Sequence, residues 1–69
     1  MLFIKTDYVG GVDLTGGKYY LVIEDPDTNT NTYKIADDSG YPISVVVGQP
    51  SAHLGDTGIF ELYEITKIG

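Results

Sequence analysis

The chain contains no cysteine, no tryptophan and no arginine, and it has one histidine and one methionine. Without cysteine there are no disulfides, no thiolate zinc sites and no cysteine nucleophile. A cysteine-free chain also fits a reducing compartment. The missing arginine leaves four lysines against ten carboxylates, a formal net charge of -6. Nucleic-acid binding depends on neutralising phosphates with Lys and Arg, and anionic membranes attract polybasic segments. Both kinds of partner are therefore disfavoured. A charge of this size keeps a small domain soluble, and it steers the chain toward a partner with a basic surface.

Long apolar runs are lacking as well. Runs such as Val45-Val46-Val47 are only a few residues long, against the ~20 residues a membrane-spanning helix needs. The opening MLFIKTD has no basic region before its apolar residues and no small-residue cleavage site after them, so no targeting segment is expected. Helix signals are scarce too. Nine Gly and three Pro punctuate clusters of β-branched and aromatic residues, the pattern of strands separated by turns. The 69 residues suffice for one domain, 1–69, which at this size buries only roughly 60% of its unfolded surface.

The first strand is expected over Leu2 to Val9, with Leu2, Ile4 and Tyr8 on one face, ending at Gly10-Gly11. After Val12-Asp13-Leu14 and the break Thr15-Gly16-Gly17, a second strand is expected over Lys18 to Glu24. Tyr19, Leu21 and Ile23 share one of its faces, and Tyr20 and Val22 the other. With both faces apolar, it reads as central or strongly curved. A polar turn, Asp25 to Asn31, leads to a third strand over Thr32 to Ala36 with Tyr33 and Ile35 inward. Asp37-Asp38-Ser39-Gly40 signals a hairpin, followed by a fourth strand over Tyr41 to Val47. Gly48 to Gly58 is a loop in which Pro50 to Leu54 can form a single helical turn, and a last strand is expected over Ile59 to Lys67. Five short antiparallel strands with a long first loop and a short turn before the last follow the order of a small SH3-like barrel. Closure of such a barrel removes exposed sheet edges.

Leu14-Thr15-Gly16-Gly17-Lys18-Tyr19-Tyr20-Leu21-Val22 resembles the L-T-x-G-K-x-Y-x-V opening of small SH3-like proteins of Firmicute bacteria and their phages. Tyr33 to Gly40 is similar to the Y-x-I-x-D-D-x-G hairpin of the same family, and Phe60-Glu61 to its terminal Phe-Glu. The resemblance covers roughly residues 14 to 61. It departs from the family pattern at Pro42 to Val47 and at the extended Gly48 to Gly58 loop. The resemblance implies an all-β barrel and a phage accessory protein in a bacterial cytoplasm. It assigns no activity, since a fold does not determine a function.

No chemistry-bearing motif is complete. Asp25, Asp27, Asn29 and Asn31 space oxygen ligands as a calcium loop opens, but Thr30 stands where the sharp-turn glycine belongs and Ala36 where the bidentate Glu belongs. An ordinary hairpin turn is the preferred reading, with a weak cation site the alternative. His53 has Ser51 and Asp56 nearby in sequence, but no nucleophile or oxyanion motif accompanies them. Asp37-Asp38 reads as a turn that caps backbone groups, and Gly16-Gly17-Lys18 as a phosphate-loop echo that precedes a strand, not a helix. No catalytic residue, metal ligand or cofactor is assigned, and an enzyme is not expected.

Six tyrosines remain. Tyrosine suits interfaces because its ring is apolar and its hydroxyl polar. Tyr8, Tyr20, Tyr41 and Tyr63, together with His53 and Asp56 of the divergent loop, form the expected partner-binding set. The favoured function is a protein-binding module or inhibitor that docks on a host protein. A nucleotide-signal binder, weakened by the missing Arg, and an assembly component forming homo-oligomers are the alternatives.

Overall fold

A computed structural model describes residues 1–66. Five strands run in order: β1 (Leu2–Lys5), β2 (Tyr20–Leu21), β3 (Thr32–Ala36), β4 (Pro42–Val46) and β5 (Glu61–Glu64). A 3-10 turn over Ala52–Leu54 precedes the last strand. The chain is all-β apart from this turn. The strands form two antiparallel sheets, one ordered β2-β1-β5 and one β3-β4.

β3 matches the expected Thr32 to Ala36, because Tyr33 and Ile35 alternate strictly with Lys34 and pack inward. Its register with β4 runs from Thr32 opposite Val46 to Ala36 opposite Pro42. The other strands are shorter than their apolar runs. β1 stops at Lys5, since Thr6 turns its hydroxyl back to accept from the Tyr8 amide at 3.1 Å while its carbonyl accepts from Gly17 at 2.7 Å. β2 pairs with β1 only through Leu21 opposite Phe3 and Tyr20 opposite Ile4. Beyond it, Val22 and Ile23 turn to the other sheet, with Val22 bridging Ile35 and Ile23 N–H donating to the Lys34 carbonyl. β2 is thus an edge of its sheet and not the central strand that its two apolar faces suggested, and the chain passes here from one sheet to the other. A second junction forms where Val47 bridges Phe60 and Gly48 donates to the Phe60 carbonyl at 3.0 Å. β5 covers the middle of the expected Ile59 to Lys67, with Ile59 and Phe60 in isolated bridges. Lys67 lies outside the described residues.

The core consists of Ile4, Leu14, Tyr20, Tyr33, Ile35, Val45, Leu54 and Phe60, drawn from all but one of the strands and both long loops. Leu54 enters it from the 3-10 turn. Ser51 opens that turn with its hydroxyl accepting from the His53 amide, and Gly55 closes it in a left-handed conformation, which glycine adopts without a Cβ penalty.

Candidate protein-binding surface

The three-stranded sheet has an apolar face on each side. Ile4 and Tyr20 point into the core. On the opposite face, Leu21, Phe3 and Tyr63 form one row across the strands, since Phe3 is the register partner of both others. Tyr19 lies beside them, its ring edge-on to Phe3 at 6.2 Å and to Tyr63 at 5.5 Å. The backbone pairing of Met1 with Ile65 adds those two residues at the far end, and Ile23 is a further exposed apolar residue beyond β2, where the chain passes to the other sheet. Tyr19, Leu21, Ile23, Ile65 and Met1 are 45%, 42%, 46%, 41% and 64% exposed. An antiparallel sheet that faces water normally places polar residues there. Among the described residues, the one cross-strand charged pair on this face is Lys5 opposite Glu61. The Lys5 ammonium makes no ion pair with that carboxylate and sits 5.2 Å and 5.7 Å from the ring centres of Tyr19 and Tyr63, a cation–π placement.

The expected binding residues fall in different places. Tyr63 belongs to this sheet face, half-buried beside Tyr19. Tyr20 does not reach the surface. It is 4% exposed, its ring packs in the core, and its hydroxyl is taken up by Thr15 and Asp38. The correction follows from strand parity: Tyr19 and Tyr20 point to opposite faces, and Tyr19 is the exposed one. Tyr41 is 67% exposed at the end of the β3–β4 hairpin, apart from the other five. Tyr8, His53 and Asp56 gather at the divergent loop. A Cβ on Gly55 would collide with the Tyr8 hydroxyl, and one on Gly58 would stand 2.7 Å from the Tyr8 Cβ. His53 is exposed on the 3-10 turn, and Asp56, left-handed at φ 62°, donates its amide to the Ser51 carbonyl. Phe3, Tyr19, Leu21 and Ile23 lie outside the set expected from the sequence, although the last three are exposed apolar residues. The available signal was the two-sided apolar pattern of Lys18 to Glu24, which also fits burial on both faces.

Two concavities lie elsewhere on the molecule, one of them reaching Glu61 of β5. One, of about 350 Å³, is lined by Thr6, Asp7, Tyr8, Thr57, Gly58, Ile59 and Glu61. The other, of about 260 Å³, lies between Ser44 and Val46 of β4 and the segment from Gln49 to His53.

The carboxylate pair Asp37-Asp38 is occupied structurally. Asp37 Oδ1 accepts from the Ser39 amide, the Ser39 hydroxyl and the Tyr41 amide at 2.9, 2.6 and 2.9 Å. The Ser39 hydroxyl bond foremost, helped by the two amides, holds its carboxyl below the ordinary value. Asp38 accepts from the Lys18 ammonium at 2.7 Å, the Thr15 hydroxyl at 2.7 Å and the Tyr20 hydroxyl at 2.8 Å. These bonds, Lys18's first, lower its pKa to about 2. The same bond raises the Lys18 ammonium above its ordinary value. Carboxylates so strongly held in the ionised form are poor proton donors near neutrality. In the Asp25 to Asn31 turn, Asp27 and Thr32 exchange backbone bonds at 3.0 Å, and Asp27 Oδ1 accepts from the Asn29 amide at 3.1 Å. Among the described residues no three His, Asp or Glu side chains gather as a metal cage would require.

Compared with protein-family models, with curated proteins and with solved structures, the chain matches none.

Proposed function

We propose that the protein is a small protein-binding module, with its strands arranged as an SH3-like barrel, that docks on a host protein through the outward face of the β2-β1-β5 sheet. The observation that carries the reading is the apolar cover of Phe3, Tyr19, Leu21, Tyr63 and Ile65 on a sheet whose other face already packs the core. Large contiguous apolar patches are rare on monomeric surfaces and mark interaction sites. Tyrosines at the centre of such a patch supply the rigid amphipathic contacts that dominate interface energetics. The net charge of -6 favours a partner with basic residues around its own apolar contact. The barrel reading is supported by the two junctions, Val22 with Ile35 and Val47 with Phe60, which link the sheets at both sides. The Firmicute and phage resemblance makes a bacterial cytoplasmic protein the natural host target.

The test is capture of partners from a bacterial lysate by the immobilised full chain and by its Leu21→Glu variant. A stoichiometric partner retained by the first and lost by the second supports the reading. Recovery of no stoichiometric partner, or equal recovery by both, overturns it. Sedimentation of the free chain addresses a second copy as occupant: a dimer that Leu21→Glu dissociates would replace the host partner with self-association.

A further inference from the structure

We infer that the cleft between the end of β1 and the Thr57–Ile59 segment is a seat for one lysine or arginine side chain of the docked partner. This rests on the docking reading above, because the cleft opens at Glu61, which shares the sheet face with Lys5 and Tyr63. Two carboxylates, Asp7 and Glu61, line the cleft, and Tyr8 and Ile59 supply apolar wall. Neither carboxylate takes part in an ion pair or a side-chain hydrogen bond among the described residues; the two ion pairs there are Lys18 with Asp38 and Lys34 with Glu24. Lys5, the register partner of Glu61, makes no ion pair with it and places its ammonium over the rings of Tyr19 and Tyr63.

The chemistry of the walls specifies the occupant. A basic side chain has an apolar stem that lies along Ile59 and the Tyr8 ring, and a charged head that both carboxylates can approach. A tyrosine face adds attraction for the same cation. The cleft is also shaped in advance. Gly58 lies against both Leu54 and Tyr8, where any Cβ would be 2.5 and 2.7 Å from theirs, so Tyr8 is held by packing and not by a hydrogen bond of its hydroxyl. A host protein presenting a basic residue at the edge of an apolar patch would engage the sheet face and the cleft together.

The test uses the isotope-labelled full chain and two probes, N-acetyl-arginine amide and its neutral isostere N-acetyl-citrulline amide. Saturable amide shifts clustered at Thr6, Asp7, Tyr8, Gly58 and Glu61 are expected with the first. Binding should weaken roughly tenfold with the neutral probe and with the Asp7→Asn/Glu61→Gln double variant. Equal shifts from both probes, or arginine shifts as large at the Asp25–Asp27 turn as in the cleft, overturn the proposal. A retained fold in the double variant is read from the remainder of its spectrum. The two readings also fail separately. A lysate partner lost with Leu21→Glu but kept at full strength by the double variant removes the cleft and leaves sheet docking. Arginine binding in the cleft with no captured partner does the reverse.

Discussion

The Tyr20 hydroxyl donates to Asp38 Oδ1 across 2.8 Å and joins two segments eighteen residues apart in sequence. The same oxygen accepts from the Thr15 amide at 2.6 Å, and Asp38 also takes the Thr15 hydroxyl and the Lys18 ammonium. The Lys18 ammonium lies 5.0 Å from the centre of the Tyr20 ring. The Asp38 amide completes the link by donating to the Asp13 carbonyl at 2.7 Å. Thr15, Lys18 and Tyr20 come from the L-T-x-G-K-x-Y stretch and Asp38 from the D-D hairpin, so the two stretches that carry the family resemblance meet in one network. The residues of this network hold the long first loop against the β3–β4 hairpin.

Tyr20→Phe tests that network with little change of volume. It leaves the Thr15 amide without its partner in a part-buried position, which costs about 1–3 kcal/mol. Chemical denaturation should show a lower midpoint with an unchanged slope, since the surface exposed on unfolding is the same. Combined with Asp38→Asn, the loss should be clearly less than additive, because both substitutions break the same bond.

The network also sets the acid limb of stability. The Asp38 carboxyl is lowered from 3.8 to about 2, chiefly by its bond to Lys18, and Asp37 is lowered by Ser39. A group depressed in the folded state stabilises fully above its unfolded value and loses that contribution as pH falls through the folded one. Unfolding midpoints should therefore hold near neutrality and decline as pH drops from 3.8 toward about 2. Asp38→Asn should flatten that decline. Lys18, raised above 10.5 by Asp38, contributes below 10.5 and loses its contribution only as pH climbs past its raised value. An Asp38→Asn curve parallel to the parent through the acid range would show that this carboxylate does not report on folding.

Much of this was legible in the residues. Strict alternation of Tyr33 and Ile35 with Lys34 gives β3 its buried face, and the helical turn expected over Pro50 to Leu54 is present over Ala52–Leu54, started by the Ser51 hydroxyl and not by Pro50. Lys18 to Glu24 was less legible. Its two faces are equally apolar, and a period of two identifies which residues share a face without saying which face is inside. Burial of Tyr20 is decided by long-range partners, Asp38 above all, which no local pattern contains. The exposed face then follows as Tyr19, Leu21 and Ile23. The shortness of β1 has a similar origin: Leu2 to Val9 alternates well enough for a longer strand, but Thr6 diverts its bonds to Tyr8 and Gly17.

Gly58→Ala probes the seat of Tyr8. The added methyl would stand 2.5 Å from the Leu54 Cβ and 2.7 Å from the Tyr8 Cβ, atoms fixed to the backbone that cannot swing aside. Overpacking of this kind costs about 1–3 kcal/mol. Gly17→Ala provides the contrast, since a Cβ there meets nothing within 4 Å and only the φ of 84° is strained. Thermal unfolding should show both variants destabilised, but only Gly58→Ala should shift the Tyr8 ring resonances. Unchanged ring resonances in Gly58→Ala would mean that the loop does not hold Tyr8.

Leu21→Thr separates the exposed sheet face from the core. Leu21 sits on the two-residue strand β2 with 42% of its surface open, opposite Phe3. Thr is compatible with a strand, and a surface change of this type alters stability by about 0.5 kcal/mol or less. The apolar patch, however, loses the end of its central row. Binding of a hydrophobic dye to the folded chain should fall while the unfolding midpoint stays in place. Tyr33→Ala should do the opposite. Its ring is buried between Ile35 and Val45 in the core cluster, so its loss costs several kcal/mol by cavity formation, on the order of the 3–5 found for large aromatic truncations, and dye binding should rise as the core opens. If Leu21→Thr lowered the midpoint as Tyr33→Ala does, the sheet's outward face would be part of the folding core and not a surface held ready for a partner.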